Sequence, residues 1–280
     1  MIDAHLHVWR LSAGWYPWNT PDLGAVHADS GVDDIADTMA AAGVEAVVLV
    51  QAADTLAETE WLLDLARRDD RVTGVVGYLP LTDAGRLTDL LTRYAGEPLV
   101  GVRQLWHGHD RTDELSDAAV LASLRLLGEA GFAVDVPDAH PGLWPALTGA
   151  VEQCPQTTFV LDHCGKPPFG DQVGWTEWEA WFRALGARPN VVLKLSGLFG
   201  GSGSATPATA DELDRVVGLA RSVAGADRIM LGSDWPMTRG ALDYGDNIAR
   251  LRQLLASWSP AEQTAATEST ARTAYRLPAR

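Results

Sequence analysis

Cysteine is nearly absent. Cys154 and Cys164 are the only two in 280 residues, and no C-x-x-C spacing marks a redox or structural metal motif. That argues against a disulfide framework, and free thiols in a reducing cytoplasm are the simplest reading. Positive charge is scarce as well: 22 Lys and Arg stand against 37 acidic residues, a formal net charge of −15, and no local basic cluster offsets it. Phosphate backbones and anionic bilayers would meet long-range repulsion, so neither nucleic acid nor membrane is expected as a partner. No apolar run approaches the roughly 20 residues that span a bilayer; Val47-Val48-Leu49-Val50 is representative. The first strand starts at Ile2 and leaves no room for a charged n-region and apolar h-region, so no signal peptide is expected. Nucleophile and phosphate motifs are missing too. Gly-x-Ser-x-Gly does not occur, since Gly200-Gly201-Ser202-Gly203-Ser204 fails at its fifth position. The loop 197–206 lacks Gly-Lys-Ser/Thr, and His7-Val8-Trp9 occupies the place of a Gly-rich phosphate turn.

What the chain does contain is a repeat of short apolar strand, polar loop and amphipathic helix. Near-continuous Val/Leu runs place strands at 2–8, 45–51, 72–79, 99–106, 132–136, 158–163, 191–196 and 228–233, as expected for parallel strands buried on both faces. Apolar residues three or four apart mark a helix after each, for example Leu87/Leu90/Leu91/Tyr94 and Leu213/Val216/Val217/Ala220. Gly43, Gly96 and Gly131 stand where helices should stop. Eight alternating units predict a single (β/α)8 TIM barrel occupying residues 1–280 as one domain. A doubly wound open sheet is the alternative. The long first connection, 9–31, carries Trp9, Trp15, Tyr16 and Trp18 and would leave the C-terminal mouth, as a pocket wall or as a plug on the rim. A last helix is expected over 261–275, after Ser259-Pro260.

The polar residues collect at strand ends. His5 and His7, two apart on one strand, share a face and converge on one point, as a metal site or an electrophile clamp requires; a pair of histidines on a half-exposed strand is the plain alternative. His107, Asp135, Asp138, His140, Asp162, His163, Lys194, Ser196 and Asp234 follow at or near later strand ends. Polar groups in a barrel must be paired or face a wet pocket. Arg103 is a candidate to bind substrate oxygens, or else pairs with Asp135 on the next strand. Lys194 reads as a paired interior lysine. Lys166 reads as a mouth contact to a carboxylate or hydroxyl, or as a solvated loop residue. His107 and His140 are candidates to touch substrate, His140 alternatively opening a helix, and Asp3 reads as structural.

Asp3-Ala4-His5-x-His7, Asp162-His163-x-Gly165-Lys166-Pro167, Lys194-Leu195-Ser196-Gly197 and Gly232-Ser233-Asp234-Trp235-Pro236 together resemble the amidohydrolase-related family. More narrowly they resemble its branch of fuconolactonase-like sugar-lactone and muconolactone hydrolases. Val50-Gln51-Ala52-Ala53, Gly101-Val102-Arg103 and the terminal Ala271-Arg272-Thr273-Ala274-Tyr275 extend the resemblance over nearly the whole chain. The resemblance implies a small-molecule lactone as substrate and a site of His5, His7, His163 and Asp234, with Asp234 and His163 catalytic. Asp234 would activate water, while the histidines bind one divalent metal, zinc for choice, or polarise the carbonyl without a metal. Arg103, His107, Lys166 and Trp235 would contact substrate. The chain departs from the pattern at strand five, where Pro137 replaces a polar residue, and it carries Gln104 and Trp106 at variable pocket positions. A metal-dependent decarboxylase of an aromatic or unsaturated acid is the second reading, a non-catalytic ligand-binding barrel the third.

Overall fold

The computed structural model describes residues 1–106, 111–137, 139–200 and 207–278. Eight strands form one parallel sheet in sequential order, β1 to β8: Ile2–Leu6, Ala46–Val50, Val72–Gly77, Leu99–Arg103, Ala133–Val136, Thr158–Leu161, Val191–Leu195 and Ile229–Leu231. The ring is drawn shut where Leu6 pairs with Trp235. There the Asp234 N–H donates to the His5 carbonyl at 2.8 Å, and the His7 N–H to that of Trp235 at 2.7 Å. This is the expected (β/α)8 barrel. Around it run α1 (Ala36–Ala41), α2 (Leu56–Arg68), α3 (Ala84–Arg93), α4 (Ala118–Ala130), α5 (Trp144–Gln153), α6 (Gln172–Gly186), α7 (Ala210–Ala224) and α8 (Tyr244–Leu254). The last helix is α9 (Pro260–Thr264) and α10 (Thr270–Ala274), joined by a π turn.

Local chemistry sets the boundaries. Asp117 caps α4 by accepting the Ala119 N–H, and Gly131, at φ 85°, ends it in the left-handed region that costs glycine least. Thr209 and Glu212 form a capping box at α7. The apolar residues divide into two shells. Leu49, Val75, Val102, Leu193 and Leu231 face outward onto helix residues such as Leu62, Leu87, Leu124 and Ile248. Ala4, Val48, Val76, Val160 and Met230 fill the interior, closed from below by Tyr275 and Leu277. Each such Val, Leu, Ile or Met side chain contributes about 1.5–3 kcal/mol by leaving water. No helix among the described residues is long and apolar enough to cross a membrane.

One irregularity matters for function. Asp3 pairs with Val47, but Leu6 pairs with Leu49, so β1 spends three steps where β2 spends two. This bulge leaves Asp3 and Leu6 on the helix side and turns both Ala4 and His5 inward. Asp3 is accordingly structural: its carboxylate accepts the Tyr244 hydroxyl of α8 at 3.0 Å, the Ser233 N–H at 2.8 Å and the His5 N–H at 3.1 Å.

Several strands stop earlier than their apolar runs predict, always at the mouth. The sixth ends at Leu161, and Asp162–Gly165 forms a tight turn with His163 and Cys164 at φ 54° and 53°. Strand alternation across His163 and Cys164 therefore does not apply. A left-handed backbone, shared by Lys166 and Asp234, directs these side chains instead.

Candidate active site

Above the apolar floor the barrel carries an ionic layer. Lys194 of β7, wholly buried, donates to Asp135 Oδ2 of β5 at 2.6 Å and lies 2.9 Å from Asp162 Oδ1. The Tyr275 hydroxyl, from the end of the last helix, also donates to Asp135 Oδ2, at 2.7 Å. Arg103 of β4 donates through Nη1 to Asp162 Oδ2 at 3.0 Å. Two cations thus balance two carboxylates, the condition under which charge survives burial. Arg103 is paired, but with Asp162 and not with Asp135, although Arg103 and Asp135 are register partners. The paired reading of Lys194 holds.

The imidazoles stand on this layer. His5 Nδ1 is 3.1 Å from Lys194 Nζ and 3.3 Å from Asp162 Oδ1, and its Nε2 is 3.1 Å from His7 Nε2. His7 Nδ1 donates to the Val50 carbonyl at 2.7 Å. Asp234 Oδ1 lies 3.6 Å from His5 Nε2 and 3.5 Å from His7 Nε2. The His163 ring centre is 4.8 Å from that of His5, and its Nδ1 meets Ser196 Oγ at 2.9 Å. Gly197 separates His163 from Asp234. A Cβ there would lie 2.7 Å from His163 Nδ1 and 2.9 Å from Asp234 Oδ2, and its φ of +60° also favours glycine.

Electrostatics prepare these groups. Burial holds His5 well below the usual imidazole range, with Lys194 adding to the effect, and burial lowers His7 as well. Burial would push Asp234 up, but His163, His7 and His5 beside it hold its pKa down at about 2. Neutral imidazoles and an ionised carboxylate at neutral pH are the states a cation needs. The spacing fits one too: zinc at its usual bond lengths sets tetrahedral ligand atoms roughly 3.3–3.5 Å apart. The three edges joining His5 Nε2, His7 Nε2 and Asp234 Oδ1 are 3.1, 3.6 and 3.5 Å.

His5, His7, His163, Asp234 and Arg103 are therefore together. Lys166 is exposed at the turn beyond His163. Trp235 is placed elsewhere: its backbone joins the mouth, but its indole lies under Arg239 at 4.6 Å and lines a cleft of ≈ 660 Å³ between α1 and α8. His107 and Asp138 lie outside the described residues. The His140 carbonyl accepts the Leu143 N–H in the turn leading to α5. Gln104 and Trp106 are tied into the loop after β4, Gln104 to the Leu79 carbonyl and Arg111, Trp106 to Glu114. The aromatic connection packs against the mouth, with Trp9 wholly buried and stacked on His7 at 6.3 Å. Cys164 is buried, burial pushes its thiol far up, and it takes no nucleophile's part. The roles of Asp162, Ser196 and Tyr275 were not evident from sequence. For Asp162 the period-two alternation with Val160 was an available signal.

The chain matches the family model described as amidohydrolase over residues 2–277. It is 32% identical over 249 residues to an L-fucono-1,5-lactonase of Burkholderia ambifaria, covering 88% of this chain and 83% of the relative. A second L-fucono-1,5-lactonase, from Burkholderia multivorans, is 32% identical over 287 residues, covering 99% and 96%. A crystal structure of an amidohydrolase from Burkholderia multivorans with bound zinc superposes with a TM-score of 0.90 at 30% identity, covering 99% of each chain.

Proposed function

The chain belongs to the amidohydrolase family, and from that premise we propose that it is a lactone hydrolase, acting on a sugar-acid lactone, in which Asp234 activates the attacking water. The observation that carries the reading is the approach of Asp234 Oδ1 to within 3.6 Å of both His5 Nε2 and His7 Nε2 at the barrel mouth. The two lactonase-named relatives support the substrate class.

Ester opening needs a base, a place for negative charge on the carbonyl oxygen and a proton for the departing ring oxygen. Asp234, ionised, takes a proton from water as the oxygen attacks the carbonyl, a contribution of about 10²–10⁴ in rate. The same proton then passes to the ring oxygen as the ester bond breaks, leaving a hydroxy acid. His163, its ring anchored by Ser196 across Gly197 from Asp234, polarises the carbonyl; losing one such donor typically costs about 3–4 kcal/mol. Arg103 lies beside the imidazoles, its Nη1 3.5 Å from His5 Nε2, and is the candidate to meet substrate oxygens. Zinc held by His5, His7 and Asp234, with His163 adjoining, would supply Lewis-acid polarisation of the same carbonyl. The two free, buried thiols suit a cytoplasmic enzyme.

A panel of five- and six-membered sugar-acid lactones, followed with a pH indicator, tests the reading. Acid release at rates saturating in lactone is expected. Silence on the whole panel, with carbon dioxide released from aromatic carboxylates instead, would overturn it in favour of a decarboxylase.

A further inference from the structure

The hydrogen bonds through the centre have a direction that its two ends dictate. Lys194 Nζ is an ammonium with three N–H groups and no acceptor, and it faces three acceptors: Asp135 Oδ2 at 2.6 Å, Asp162 Oδ1 at 2.9 Å and His5 Nδ1 at 3.1 Å. A donor at His5 Nδ1 requires a lone pair there, so the single proton of a neutral His5 sits on Nε2. At the far end the Val50 carbonyl can only accept, so His7 carries its proton on Nδ1 and a lone pair on Nε2. The 3.1 Å contact between the two Nε2 atoms then holds one proton, that of His5. Lys194, His5 and His7 each donate to the next group in one outward-running chain that ends on the accepting Val50 carbonyl. Arg103 Nη1, 3.5 Å from His5 Nε2, is too distant to reverse it and donates to Asp162 at 3.0 Å.

This arrangement opposes the metal the same atoms could hold, because the His5 Nε2 lone pair is covered by a proton. Releasing it means moving that proton to Nδ1, where Asp162 Oδ1 waits at 3.3 Å as an acceptor and Lys194 must let go. We propose that Lys194 is a positioning residue that holds His5 in its Nε2-protonated tautomer, and that Lys194 and Asp162 compete for His5 Nδ1 so as to set how tightly the centre binds a divalent cation. The inference rests on the metal assignment made above. Lys194 keeps the cation exchangeable; Asp162 supplies the alternative partner that a histidine ligand needs behind it.

Two measurements test this. Long-range proton–nitrogen correlation spectra of ¹⁵N-histidine-labelled protein, stripped of metal, should show His5 as the Nε2–H tautomer, converting to Nδ1–H as zinc is added, with His5 assigned from a His5→Gln variant. An Nδ1–H tautomer in the stripped protein would overturn the proposal. The second is zinc affinity by competition with a chromophoric chelator, in wild type and in Lys194→Met/Asp135→Asn, which removes one charge of each sign and so limits the burial penalty. The variant should bind about 10–100-fold more tightly, the range typical for a partner behind a metal ligand, here with the sign reversed. Equal or weaker binding by the variant overturns this inference alone. If neither protein takes up zinc while lactone hydrolysis persists, the metal assignment falls and this inference with it.

Discussion

Asp and Asn have nearly the same shape, so Asp234→Asn removes the basic, ionised carboxylate while leaving the packing of the mouth in place. We expect kcat to fall by about 10²–10⁴ with circular dichroism and melting temperature little changed; a variant retaining full turnover would remove Asp234 from the chemistry. Gly197→Ala probes the spacing. Its methyl would press on His163 Nδ1 and Asp234 Oδ2 at 2.7 and 2.9 Å, so kcat should drop at least tenfold, a loss of about 1.4 kcal/mol in transition-state stabilisation. Steady-state kinetics on any accepted lactone checks both. At this scale the ends of the strands were readable, because a histidine or aspartate beside a Val/Leu run is costly unless it has a task. The partners were not. Arg103 and Asp135 face each other in register, yet Lys194 and Tyr275 occupy Asp135 and leave Arg103 to Asp162.

The elements show a similar division. Val/Leu runs located all eight strands, but not where their mouths end, since left-handed turns at His163 and Asp234 leave no periodic trace. The bulge in β1 depends on its register with β2 and is invisible in either segment alone. Tyr275 reaches Asp135 across 140 residues, beyond any local pattern. Tyr275→Phe removes that O–H donor and should destabilise the barrel by about 1.5–3 kcal/mol, read as a lower urea midpoint. The start of α2 makes a pH-dependent prediction. Glu58 accepts the Ala52 and Ala53 N–H groups, faces Tyr16, and is raised by burial from 4.5 to about 7. A carboxyl raised in the folded state contributes fully below its unfolded pKa and loses that contribution as pH climbs through the folded one. Unfolding free energy should therefore decline by about 3 kcal/mol between pH 4.5 and 7 from this group. In Glu58→Gln the decline should vanish; a wild type as stable at pH 7.5 as at pH 5 would refute the assignment.

For the molecule as a whole, the barrel followed from counting alternating units, and the charge of −15 from composition. That charge bears on traffic through the mouth. A neutral lactone enters without steering, whereas the hydroxy-acid product leaves as an anion from an anionic protein, which favours its departure. KM for uncharged lactones should then be insensitive to salt between 20 and 300 mM. A lactone bearing a carboxylate should show KM falling as salt screens the repulsion. Equal salt profiles for the two substrate types would show that the net charge does not reach the site.

The extra residue in β1 has an evolutionary corollary. Loss of the His5 codon alone would restore plain alternation, with Asp3 and Leu6 on the helical jacket and Ala4 between them facing the lumen, and would abolish the imidazole pair without exchanging any other residue. Chemistry on this scaffold can thus be switched off, or acquired, by an insertion or deletion of one amino acid as readily as by exchanging one for another.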